Sequence, residues 1–140
     1  MKAGPQHDFY ERFDDIPFHR DLGIRLTSWG EGKGRITLHR TPDTPQGIGG
    51  SVQGGVLATM VDLVALVAVF SELDENQVPA GTADLNISYL RTTQSDLVHA
   101  DGTVIKRGRQ LAVVDVRIID GDDRLCSIGK VMYAFRAGAQ

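Results

Sequence analysis

Apolar residues run almost unbroken from Val56 to Phe70, with a single charged residue, Asp62, among them. Leu, Ala and Met favour a helix here, and no proline interrupts residues 54–73. The run therefore predicts one helix of about five turns. It is shorter than the roughly 20 apolar residues that a membrane-spanning helix needs. A helix that is apolar on nearly every face must be covered all round.

The pattern changes after Gly81. Residues 83–91, 97–107, 110–119 and 124–136 are rich in Val, Ile, Thr and Tyr. Gly108 and the run Asp120-Gly121-Asp122-Asp123 punctuate the last three, which predicts a meander of antiparallel strands. Ahead of the helix, residues 22–29 and 34–40 read as two strands joined by Gly30-Glu31-Gly32-Lys33. Residues 41–50 carry two prolines and three glycines and read as a loop, and residues 74–79 break the pattern. Residues 7–15 predict a short helix with Phe9, Tyr10 and Phe13 on one side, ended by Pro17. Together these make an α+β layer in which one antiparallel sheet curls around the helix. The expectation is a single domain over residues 1–140, with residues 1–20 as an amino-terminal helix or arm.

Composition narrows the classes. The chain has 140 residues, 41% of them hydrophobic, and a net charge of −3. Such a chain folds into a globule, and it lacks the strong basic face that nucleic acid requires. One cysteine, Cys126, forms no internal disulfide and reads as core. The first fifteen residues are polar, unlike a signal peptide, so the cytoplasm is expected, with no membrane attachment. The four histidines lack metal-ligand spacing, so no metal and no cofactor is expected. A chain of this size has little room for a self-contained active site.

Two features carry chemistry. Asp62 lies within an apolar helix, where a buried, unpaired carboxylate costs several kcal/mol, on the order of a lost ion pair. Either it lies on one thin stripe that reaches solvent or an arginine, or it is a base or nucleophile in a pocket. Gly49-Gly50-Ser51-Val52-Gln53-Gly54-Gly55 leads into the helix start, where free N–H groups favour a developing negative charge. The plain alternative is a flexible loop. Gly55 and Asp62 are two turns apart on one face, about 10 Å along the axis, too far to touch one carbonyl carbon. Two antiparallel copies of the helix would bring Gly55 of one chain to Asp62 of the other, so a symmetric dimer with shared sites is expected.

Gln53-Gly54-Gly55 followed by Asp62 resembles the H-G-G…D/E segment of hotdog-fold acyl-CoA thioesterases, in the PaaI-like branch. Residues 82–91 resemble the strand that follows the helix in that family, and Lys106-Arg107-Gly108-Arg109 resembles its next hairpin. The resemblance covers residues 22–135. It implies a five- or six-stranded antiparallel sheet around one long central helix, a homodimer often paired into a tetramer, and hydrolysis of acyl-CoA to a free acid and CoA. It makes Asp62 the base or nucleophile and the Gly55 N–H the donor to the thioester oxygen. Thr82 falls where relatives carry a hydroxyl that orients water. Gly54 belongs to the same substrate-binding turn. Arg91, Arg107 and Arg109 would meet CoA phosphates, against the plain reading of solvated basic turns.

The chain departs from the pattern at Gln53, where relatives often have His. Glutamine holds a carbonyl by a hydrogen bond but carries no proton at neutral pH. Some relatives place Asn or Gln about fifteen residues before the acid; Gly47 stands there, with Gln46 beside it as a candidate. Trp29 and Tyr89 read as packing residues before pocket residues. The alternatives are a non-catalytic acyl-CoA-binding module and, with the His absent, a hydratase or dehydratase of the same fold.

Overall fold

The apolar run forms the long helix, and the rest of the chain is arranged to cover it. The structure, a computed structural model, describes residues 5–137. In chain order its elements are α1 (Pro5–Arg12), α2 (Pro17–Leu22), β1 (Ile24–Gly30), β2 (Lys33–His39), α3 (Gly54–Phe70), β3 (Gln77–Tyr89), β4 (Leu97–Arg107), β5 (Leu111–Asp120) and β6 (Leu125–Ala137). The six strands form one antiparallel sheet in the order β1-β2-β4-β5-β6-β3. Its inner face wraps α3, as expected for a hotdog fold. No helix among the described residues is long and apolar enough to cross a membrane.

Close approach of α3 to the sheet depends on three glycines in one row. Gly34 pairs with Gly102, Gly102 with Val116, and Val116 with Gly129. Val67, Val64 and Val61, spaced three apart on α3, lie over those glycines. A Cβ on Gly102 would stand 3.0 Å from the Val64 carbonyl oxygen, and one on Gly129 2.9 Å from Val61 Cγ1. At Gly34 it would overlap the Val67 side chain. Valine methyls fill the space that the glycines leave, which gives the dense packing of a protein interior.

The end of α3 is closed by side chains. The last carbonyls of a helix lack partners within it. Here the Tyr10 hydroxyl donates to Val67 O at 2.7 Å, Ser71 Oγ to Ala68 O at 2.8 Å, and Arg107 Nη2 to Val69 O at 2.8 Å. The predicted aromatic side of the first helix supplies the cover: Phe9 packs edge-on against Phe70 at 5.3 Å, and Tyr10 stacks on Trp29 at 4.0 Å. Pro17 does more than end that segment, because it opens α2 at a position where its fixed φ suits a first helical turn.

The predicted four-strand meander is corrected in one respect. β4, β5 and β6 do form a meander, but β3 pairs with β6 and lies at the far edge. β3 also starts at Gln77, inside the stretch read as a break. Pro79 is tolerated there because an edge strand has a side that needs no ladder bond. The pairing shifts register between Pro79 and Gly81 and again between Thr82 and Asp84. Cys126 is fully buried. The sheet leaves one stripe of α3 partly uncovered, through Gly55, Ala58, Thr59, Asp62 and Leu66.

Candidate active site

Asp62 lies on that stripe, half-buried. The second register shift in β3 turns Thr82 towards it, a common effect of a bulge. Thr82 Oγ1 donates to Asp62 Oδ1 at 2.6 Å. The other carboxylate oxygen has no partner among the described residues. Opposite Thr82 on β6 stands Tyr133, 4% exposed. Burial pushes the Tyr133 phenol up from its ordinary value of 10.0, the Asp62 charge pushes it further, and a bond with the Gly81 backbone opposes them. Tyr133 therefore stays protonated across the neutral range.

At its start, α3 is held by two side chains. Gln53 Oε1 accepts the Val56 N–H at 3.1 Å, an N-cap bond. Only the oxygen of an amide accepts from a backbone N–H, so Nε2 is the end left free for another group. A Cβ on Gly55 would stand 2.7 Å from Gln53 Oε1. The Tyr89 hydroxyl donates to Gly54 O at 2.6 Å, and a Cβ on Gly54 would stand 3.1 Å from that hydroxyl. Neither the Gly54 nor the Gly55 N–H has an acceptor among the described residues. Beside them a cavity of about 320 Å³ is lined by Ile48, Val52, Gly54, Leu57, Tyr89 and Arg91, among others.

The expected residues fall into three places within one chain. Asp62 and Thr82 meet directly. Gln53, Gly54 and Gly55 form a second group at the helix start, about 10 Å away along the axis. Arg91 lines the cavity beside that group. Gln46 bridges to Val52 across the loop, exposed and near the same end. Arg107 and Arg109 lie at the opposite end of α3, roughly 20 Å from Gly55 by helix rise. Arg107 is half-buried there, on Val69 O and 5.9 Å over the Phe135 ring, while Arg109 is exposed in the β4–β5 turn.

Of the residues near Asp62 and the glycine turn, Tyr133 went unnamed in the sequence and Tyr89 was ranked as packing before pocket. Tyr133 becomes visible only once β3 is known to pair with β6. Tyr89 read as packing, yet it is 52% exposed and bonded to the glycine turn. Trp29 does pack, on Tyr10.

A curved six-stranded antiparallel sheet around one long helix is the hotdog architecture. The comparisons agree. The profile of the thioesterase superfamily matches residues 49–127, more than half of the chain. The protein belongs to that superfamily and is a thioester hydrolase. A medium/long-chain acyl-CoA thioesterase of Salmonella typhimurium is 27% identical over 131 residues, covering 84% of this chain and 84% of the relative. A Haemophilus influenzae thioesterase structure superposes with a TM-score of 0.81 at 23% identity, covering 97% of this chain and 93% of that one. The Escherichia coli PaaI protein, from the phenylacetic acid degradation operon, superposes with a TM-score of 0.79 at 19% identity, covering 95% and 94%.

Proposed function

We propose that the protein hydrolyses an acyl-CoA thioester to the free acid and CoA, at a site shared between two copies of the chain. The observation that carries this reading is the 2.6 Å bond from Thr82 to Asp62 on the one stripe of α3 that the sheet leaves open. That bond fixes one carboxylate oxygen and frees the other. The free oxygen serves as the base that activates water or as the nucleophile itself. As base, Asp62 takes a proton from water while the water oxygen bonds to the thioester carbon. The carbonyl oxygen becomes an oxyanion, and the Gly55 N–H stabilises it. Gln53 Nε2 adds a second donor. The C–S bond then breaks, and the departing thiolate takes up the proton that Asp62 holds.

The shared site follows from distance. Gly55 and Asp62 of one chain are too far apart to serve one carbonyl. The uncovered stripe and the outer edge of β3 adjoin each other through the Thr82–Asp62 contact, and both are suited to a second copy. A two-fold dimer pairing those surfaces sets Gly55 of one chain against Asp62 of the other. The acyl-CoA assignment draws on the Salmonella relative and on the apolar cavity beside Gly54. Arg91 at that cavity is the best placed of the three arginines for a CoA phosphate.

The test is thiol release from a panel of acyl-CoAs. Asp62→Asn should lower kcat at least about 100-fold with the fold intact, as for loss of an acid–base group. Near-full activity in that variant overturns the assignment.

A further inference from the structure

We infer that Tyr89 is a positioning residue for the oxyanion site, acting through the Gly54 carbonyl on the Gly55 N–H. This rests on the reading above that the Gly55 N–H receives the thioester oxygen. The Gly54 C=O and the Gly55 N–H are the two ends of one planar peptide group. Tyr89 holds one end of that plane, and so aims the other.

Several observations converge on this. The bond from Tyr89 Oη to Gly54 O is 2.6 Å, at the short end for two neutral oxygens. The carbonyl has two lone pairs, so it takes the phenol in addition to its ladder bond within the helix. Tyr89 is the last residue of β3, and the chain beyond it is pinned: the N–H groups of Leu90 and Arg91 both donate to Cys126 O, at 2.8 and 3.0 Å. The ring is thus delivered by a rigid element. Tyr89 is 52% exposed, so burial does not account for its position. Gly54 makes room for it, since a Cβ would stand 3.2 Å from the ring carbon Cζ.

Donation to a carbonyl draws electron density through the peptide and strengthens its N–H as a donor. Such coupling amounts to roughly 10–30% per bond. An oxyanion donor contributes about two to three decades in kcat. A tenth of two decades and three-tenths of three decades bound the effect of the Tyr89 hydroxyl at about 2- to 8-fold.

The experiment compares wild type, Tyr89→Phe, and the protein with 3-fluorotyrosine at position 89. Tyr89→Phe removes one oxygen from an exposed site and keeps the ring, so folding is unaffected. It should lower kcat by about 2- to 8-fold with KM unchanged. Below its own ionisation, 3-fluorotyrosine is the stronger donor and should raise kcat above wild type. The amide nitrogen resonance of Gly55 should move upfield in Tyr89→Phe and downfield with 3-fluorotyrosine. An unchanged kcat and an unmoved Gly55 resonance overturn the inference. A rise in KM alone also overturns it, because Tyr89 would then only line the substrate cavity. If Asp62→Asn abolishes turnover while Tyr89→Phe does not change it, this inference fails and the hydrolase site stands. The resonance arm needs no substrate, so it decides the polarisation even if acyl-CoA is not turned over.

Discussion

Mixed dimers give the sharpest check on the shared site. Two variants are needed, one for each half. Asp62→Asn removes the base, and Gly55→Pro removes the N–H. Gly55 is the second residue of α3, within the first turn, where the backbone tolerates proline, and the new Cβ also displaces Gln53, which belongs to the same half of the site. Each homodimer should keep about 1% of wild-type activity or less. In a mixed dimer the geometry sorts the defects. With the helices antiparallel, as proposed, one site receives both altered residues and the other receives neither. Equal amounts combining at random give about half mixed dimers, each with one intact site of two, hence about a quarter of wild-type activity. The margin over either homodimer is at least about 25-fold. The assay is thiol release from co-expressed, differently tagged chains, with native mass spectrometry to count mixed dimers. If these are present at half the total and activity stays near 1%, both groups serve within one chain. The roughly 10 Å of helix between Gly55 and Asp62 would then be no barrier to their serving one carbonyl.

Two predictions concern the scaffold. Gly102→Ala forces a Cβ to 3.0 Å from the Val64 carbonyl oxygen, and backbone has little room to give. A loss of about 1–3 kcal/mol in urea unfolding is expected, as for overpacking, and a loss below about 0.5 kcal/mol would show that α3 is not held tightly on the sheet. His19 is 4% exposed and bonds Phe13 O through Nδ1 at 2.8 Å, so Nδ1 carries the proton of the neutral ring. Burial chiefly lowers its pKa below the ordinary 6.5, against the Phe13 bond and the Asp14 charge. The unfolded chain then takes the proton first, so stability present above 6.5 is lost as pH falls through the lower folded value. Urea midpoints at pH 7.5 and 5.5 should differ less in His19→Gln than in wild type, and equal differences would exclude His19 as a source.

What the sequence disclosed depended on whether the signal was local. The long helix was legible because composition alone decides it, and all six strands were legible from alternation and turn residues, although β3 begins at Gln77 rather than at residue 83. The place of β3 was not. Strand order depends on which face of which strand α3 leaves open, and no local pattern records that. The same gap hid Tyr133, whose relation to Asp62 exists only through the pairing of Thr82 with Tyr133. It also hid the bond by which Arg107, expected to meet a CoA phosphate, closes the end of α3.

The glycine turn shows the difference between seeing a residue and knowing its reason. Gly49 and Gly50 do adopt positive φ, 63° and 78°, as glycines in a loop would. Gly54 and Gly55 do not. They are already helical, and any L-residue could take their backbone angles. Their constraint is space: the Tyr89 ring stands over one and the Gln53 amide over the other. Backbone freedom and steric clearance leave the same letter in a sequence, yet they make opposite demands on a variant. Alanine at Gly54 or Gly55 should leave the helix formed, and even favour it by intrinsic propensity. It displaces the side chain that holds the turn. The cost of those substitutions therefore belongs to the proposed oxyanion site, while the cost of replacing Gly102 belongs to the fold.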